Sequence, residues 1–342
     1  MTLSRSLQAL SWQRRALIAG AAVLGGLAVA NQVIARRTER KHPPNGSFLE
    51  VDGVRLHYSD RGVGSPVVLI HGNAVTGDDW NTSGVAERLL HRHRVIIFDR
   101  PGFGYSERPR GRLWTAGEQA ELLHKALRQL DVERPVVVGH SWGSLVALSL
   151  VARHQADIAG LVLLSGYYFW TMRPDVPLVA TAALPVLGDI LRYTISPILG
   201  WLQMPLLKWA MFSPAPVPPR FQAEYSSAMA LRPSQIRATS VDGALMIAGA
   251  LALRRHYKEM TLPVVIIAGD GDRIVFKRRS RQLRDSIPGS RLEIVKDAGH
   301  MVHHVATRQV VQAIESVTQS GRTPEPVAQG AGNAAFTLQA GR

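Results

Sequence analysis

Six short apolar runs, at 67–70, 95–98, 136–138, 161–164, 264–268 and 292–295, constrain the fold of this chain more than any other feature. Turn residues bound each run, and stretches of helical periodicity at 79–90, 116–130, 144–153, 279–286 and 305–318 lie between or after them. A run without polar alternation belongs to a strand buried on both faces. Strands of that kind alternating with helices specify a mostly parallel sheet with helices packed on either side. Residues 48–51 and 54–58 flank Asp52-Gly53, a dipeptide that supplies the positive φ of a two-residue turn, so an antiparallel hairpin opens the domain.

One interval breaks the rhythm. Between the runs at 161–164 and 264–268 no comparable strand occurs, and a structureless loop of that length is implausible in a compact domain. The reading is a helical insertion at 167–256 in a core made of 47–166 and 257–319. From 176 to 212 the insertion carries only Asp189, Arg192 and Lys208 as charges. Pro177, Pro185, Pro197 and Pro205 interrupt it, which fits short apolar helices better than membrane spans. Beyond 320 the sequence is Gly, Ala, Pro, Thr and Gln with little periodicity, so 320–342 reads as a disordered tail.

The N-terminus sets the compartment. Residues 16–35 hold no charge, and as a helix rising about 1.5 Å per residue they span roughly the 30 Å of a hydrocarbon core. Arg14 and Arg15 precede this segment, and Arg36, Arg37, Arg40 and Lys41 follow it. The expectation is a single membrane anchor, in the bacterial inner membrane, after a short 1–15 segment that is cytoplasmic or a signal n-region. Residues 36–46 form a linker, in which His42-Pro43-Pro44-Asn45-Gly46 cannot continue a helix. The alternative is a cleaved signal, because Ala28-Val29-Ala30 suits signal peptidase, and the product is then periplasmic or secreted.

Composition excludes several functions. The absence of cysteine rules out disulfides, thiol catalysis and Cys-ligated zinc. The formal net charge of +14 attracts anionic surfaces. Its densest run, Arg273, Lys277, Arg278, Arg279, Arg281 and Arg284, lacks interleaved aromatics and any recognition motif. It reads as a solvated helix face or a lipid contact, with no nucleic-acid partner expected.

The chemistry gathers around Ser141, in Gly139-His140-Ser141-Trp142-Gly143 between the run at 136–138 and the helical stretch at 144–153. A strand-to-helix turn this tight tolerates no side chain at the glycine positions, and it lifts the Ser hydroxyl clear of the sheet. A serine needs a base. His300, in Asp297-Ala298-Gly299-His300 after the last strand, stands where sites of open α/β sheets form, and His303 and His304 read as second-shell or exposed neighbours rather than metal ligands. Asp272, preferred to Asp270 in Gly269-Asp270-Gly271-Asp272, supplies the carboxylate that orients the imidazole. Backbone N–H groups of Trp142 and Asn73, the latter in His71-Gly72-Asn73, are the expected oxyanion donors. His71 reads as structural, as does the turn Asp99 to Ser106, which lacks a P-loop lysine.

These motifs, in this order over roughly 47–320, resemble the serine-nucleophile branch of the α/β-hydrolase superfamily. The resemblance implies an eight-stranded, mostly parallel sheet, a cap formed by the insertion, a Ser141–Asp272–His300 triad, and no cofactor or metal. His71-Gly72-Asn73 and Trp142-Gly143 are also similar to haloalkane dehalogenases and epoxide hydrolases, which use an aspartate nucleophile. With serine instead, alkyl transfer leaves an ether that water does not readily cleave, so acyl transfer is the sensible chemistry. The function expected is cleavage of an ester-like bond in a lipophilic small molecule. The alternatives are a proline-iminopeptidase-like enzyme, a carbon–carbon bond hydrolase, or a non-catalytic binding protein on the same fold.

Overall fold

The computed structural model describes residues 2–171 and 180–321; the tail at 322–342 and part of the insertion, 172–179, lie outside the described residues. Strands β1 (Ser47–Val51), β2 (Val54–Arg61), β3 (Ser65–Ile70), β4 (His93–Phe98), β5 (Val136–His140), β6 (Gly160–Leu164), β7 (Val264–Gly269) and β8 (Arg291–Val295) form one eight-stranded sheet. Its order is β1-β2-β4-β3-β5-β6-β7-β8, antiparallel at β1-β2 and β2-β4 and parallel elsewhere. All six apolar runs fall in strands. The hairpin forms where Asp52-Gly53 predicts it, both residues adopting positive φ, 50° and 71°.

Strand β3 shows why the runs are apolar throughout. Val68 and Ile70 pack with Leu123 of α4 (Ala116–Gln129) and Leu145 of α5 (Gly143–His154). Val67 and Leu69 face the other core, with Leu89 and with Ile314 near the end of the described chain. Both faces are covered, so no residue of these strands can be polar without a partner.

The stretch at 79–90 is not one helix. It breaks into α2 (Asp79–Thr82) and α3 (Val85–Leu89), because Gly84 takes the left-handed conformation at φ 74°. Between β6 and β7 lie α6 (Leu187–Tyr193), α7 (Ser196–Phe212), α8 (Pro219–Glu224), α9 (Ser227–Ala230) and α10 (Pro233–Leu253). After β7 come α11 (Lys277–Ser286), α12 (Val302–Val305) and α13 (Thr307–Gly321).

The N-terminal helix α1 (Thr2–Lys41) is continuous and stops where the prolines begin. Among the described residues, two helical segments, Trp12–Lys41 and Pro233–Glu259, are long and apolar enough to cross a membrane. The second packs Met246, Ala250 and Leu253 into the core and buries Asp242, as the core helix of a globular domain does. The first has none of its apolar window buried, and either a membrane span or a signal sequence has that character.

Candidate active site

The residues singled out by sequence converge at the carboxyl edge of the parallel strands. Ser141 follows β5 and holds φ at 53°, a left-handed conformation that costs a non-glycine residue about 1–3 kcal/mol. The surrounding turn enforces it. A Cβ on Gly143 would lie 2.5 Å from the carbonyl oxygens of Ile70 and His71, and one on Gly139 would lie 2.8 Å from Gly143 O. The Ser141 N–H donates to Leu164 O at 2.9 Å, tying the turn to β6.

His300 Nε2 lies 2.8 Å from Ser141 Oγ, and His300 Nδ1 lies 2.9 Å from Asp272 Oδ2. The other Asp272 oxygen accepts the N–H groups of Ile274 and Val275, at 2.8 and 2.9 Å. That carboxylate is fully buried and fixed from the loop after β7, so it accepts the hydrogen bond of His300 Nδ1–H and leaves the Nε2 lone pair toward the serine. Asp272 rather than Asp270 faces the imidazole.

His140 supports this geometry from below. Its Nε2 donates to the carbonyl oxygen of His300 at 3.2 Å, and burial, followed by the neighbouring His303 and His300, pushes it well below the ordinary histidine range. It is therefore a neutral donor that clamps the His300 backbone.

The two expected oxyanion N–H groups, Asn73 and Trp142, have no hydrogen-bond acceptor among the described residues. Both flank a residue that sequence reading took for part of a turn. Arg100 is wholly buried and donates to His71 O, Gly72 O, Asn73 Oδ1, Gln119 Oε1 and Asp242 Oδ2. Its guanidinium also lies over the Trp142 ring, 4.6 Å from the centroid. The fork geometry of arginine thereby ties the 71–73 loop, the Trp142 corner and α10 into one network. The Trp142 indole N–H closes it by donating to Asp242 O at 2.9 Å.

Sequence reading missed this network because Asp242 is remote in the chain. A signal was present: Asp242 is the single carboxylate of its helix and opens onto the apolar stretch 243–253, and a carboxylate drawn into the interior there must find a partner.

His71 takes the structural place expected of it. Nε2 accepts the Arg100 N–H at 2.9 Å and Nδ1 donates to Gly72 O at 2.7 Å, so both nitrogens are satisfied only in the neutral form. Burial, then the Arg100 charge, pulls it down from 6.5 to about 4. Because the folded state resists a proton that the unfolded chain accepts below about 6.5, this contribution is complete above that pH. It is lost as pH falls toward 4, and amounts to about 3 kcal/mol. Thermal melts across that window should show stability falling with acidity, with a shallower fall in His71→Asn. An equal slope in both proteins contradicts the assignment.

Of the two places expected for His303 and His304, the structure gives the one behind the base rather than the exposed one, with the His303 ring 4.4 Å from that of His140. His303 is fully buried, and both donate from Nε2 to the Asp79 carboxylate at 2.8 Å. Three and four residues beyond the base, they anchor α12 to the start of α2 rather than facing solvent. The short helix turns inward at this point, and sequence periodicity over so few residues does not reveal which side is buried. Asp79, His140 and His303 bring donor atoms within 4.8 Å of one another, but both Asp79 oxygens already accept imidazole N–H bonds.

The insertion reaches each loop of the site. Met301 N–H donates to Met211 O at 3.1 Å, and a Cβ on Gly299 would meet Phe212 O at 2.5 Å. A cleft of about 220 Å³ opens between the linker, residues 74–79 and the insertion residues Phe221, Tyr225 and Met229. Ser141 and His300 do not line it.

Residues 65–307 match the alpha/beta hydrolase fold family. An uncharacterized protein of Mycobacterium tuberculosis is 28% identical over 289 residues, covering 80% of this chain and 81% of its own length. An esterase from Exiguobacterium antarcticum superposes with a TM-score of 0.64 at 21% identity, covering 81% of this chain and all of that one. A bacterial membrane phospholipase A superposes at 0.63 and 20% identity, over 93% of this chain and 99% of its own. At those identities the two solved structures speak to the fold. Together with the strand order and the serine turn after β5, the family match over most of the chain establishes that this protein belongs to the α/β-hydrolase fold family.

Proposed function

We propose that this chain is a serine hydrolase that cleaves a carboxylic ester of a lipophilic small molecule through an acyl-enzyme on Ser141. The observation that carries the reading is the unbroken hydrogen-bond chain from Asp272 through His300 to Ser141 Oγ. His300 Nε2 takes the hydroxyl proton as Oγ attacks the carbonyl carbon, and the N–H groups of Asn73 and Trp142 hold the oxyanion. The leaving alcohol receives that proton from His300. Water, deprotonated by the same nitrogen, then attacks the acyl carbon, and Ser141 recovers its proton as the acid departs. Asp272 holds the tautomer throughout and steadies the imidazolium.

Residues 16–35 serve in this proposal as an uncleaved anchor, 36–46 as its linker, 47–166 with 257–319 as the catalytic core, and 167–256 as a cap over it. Helix α1 runs unbroken through Ala28-Val29-Ala30 and contacts the insertion beyond it, which favours retention. The intact mass of protein extracted from membranes should include residues before 31; a mature N-terminus at 31 refutes the anchor. The catalytic reading is tested by turnover of p-nitrophenyl esters of graded acyl length. Hydrolysis rising with chain length is the expected result, and failure to turn over any ester in the series overturns it.

A further inference from the structure

We infer that α7 is a second membrane-contact element, which lays the insertion against the bilayer beside the anchor. Helix α7 is apolar nearly all round, with Gln203 and Lys208 its main polar side chains. A helix of that composition belongs inside a protein core or in lipid. Here only Met204, Met211 and Phe212 are buried, while Leu199, Trp201, Leu202, Leu206 and Trp209 are 50%, 68%, 63%, 65% and 49% exposed. Monomeric soluble proteins seldom leave so many large apolar side chains in water along one element.

The anchor identifies what covers this face. Asn31, which with Gln32 is polar inside the apolar segment, donates to Tyr193 O and Thr194 O at 2.9 and 2.8 Å. A polar group at that depth needs such partners. Asn31 stands five residues, about 7.5 Å along the helix axis, before the basic cluster that begins at Arg36, so it lies just inside the lipid boundary of a span over 16–35. Tyr193 and Thr194 immediately precede α7, and their contact with Asn31 fixes the start of that helix at the same depth. Farther from the hydrocarbon, the pair Arg232 and Glu39, 2.8 Å apart, ties the insertion to the end of α1.

The exposed face of α7 is therefore continuous with the anchor at the boundary of the hydrocarbon. Trp201 and Trp209 suit it, since indole rings favour the headgroup level. Lys208 and Arg273, the latter stacked 4.7 Å from the Trp209 ring centroid, add cations at the polar margin. The occupant is the bilayer, and the far end of α7 reaches the His300 loop through Met211 and Phe212. The docking itself does not depend on the serine-hydrolase reading. Its enzymatic consequence, a substrate taken from lipid rather than from water, does.

Because the chain has no cysteine, single spin labels report this surface directly. Full-length L202C, L206C, L17C and V63C proteins are reconstituted one chain per nanodisc, and label access to oxygen and to an aqueous nickel complex is compared. Position 17 monitors the anchor, and the exposed loop at 63 gives the aqueous reference. The inference predicts an oxygen-to-nickel ratio at 202 and 206 several-fold above that at 63 and close to that at 17. A ratio at 202 and 206 equal to that at 63 while 17 is lipid-exposed overturns it. So does protection that appears only when two chains share a disc, which marks a second copy as the occupant. An aqueous position 17 refutes the anchor and the inference together. L202D with L206D should then slow hydrolysis of esters embedded in vesicles several-fold and leave a water-soluble ester unaffected. If the wild-type chain cleaves neither ester, the hydrolase reading has failed while the labels still decide the docking.

Discussion

Replacing Ser141 by alanine is expected to lower ester turnover by about 10⁴-fold or more, the scale on which nucleophile removal acts in such constellations. The fold should survive. The serine backbone is held at positive φ by Gly139, Gly143 and the Leu164 hydrogen bond rather than by its hydroxyl. The alanine variant keeps the same Cβ and inherits the same strain, so its melting temperature should stay near that of the parent. A variant that melts normally but retains full turnover removes Ser141 from the chemistry. Parallel loss in His300→Ala and much smaller loss in Asp270→Asn separate the hydrogen-bonded carboxylate from its neighbour.

The second large effect concerns stability. Asp242 accepts Arg100 Nη1 at 2.6 Å and Arg108 Nη2 at 2.8 Å, and all three side chains are essentially buried. Changing Asp242 to Leu leaves two guanidinium groups in the interior without their counter-charge, which costs on the order of 3–5 kcal/mol. For a domain of this size that corresponds to a fall in melting temperature of about 10 °C. Arg100→Lys tests the other function of the network. A lysine keeps the charge but cannot fork to His71 O, Gly72 O and Asn73 Oδ1 together, so the loop carrying the Asn73 N–H loses its brace. It should lose more in kcat than in KM, since an oxyanion donor acts on the transition state. A lysine variant with parental kcat assigns Arg100 to stability alone.

Much of the architecture was legible in the sequence because burial on both faces leaves a plain mark. Val67 to Ile70 and Val136 to Val138 are continuous apolar runs, and no other common environment accepts them at strand length. The order of Ser141, Asp272 and His300 was legible for a related reason: each sits where a strand ends, and strand ends were already located.

What escaped reading was long-range polar pairing. Arg100 looked like a turn residue because its partner lies on a helix of the insertion, and the choice between a supporting and an exposed place for His303 stayed open because its partner Asp79 precedes it by most of the chain. The break at Gly84 was hidden inside an otherwise helical pattern, since a single glycine does not announce a left-handed φ. The apolar insertion suggested ordinary packing, and the exposure of α7 was hidden because a helix apolar nearly all round does not show in its sequence which face meets the protein.

The central claim is that Ser141 is the nucleophile, and covalent capture tests it most directly. Full-length protein treated with a fluorophosphonate probe should gain one adduct, mapped by peptide mass spectrometry to the segment containing Ser141. Ser141→Ala should gain none. An adduct on any other residue, or an unlabelled wild-type protein under conditions that label a known serine esterase, contradicts the account.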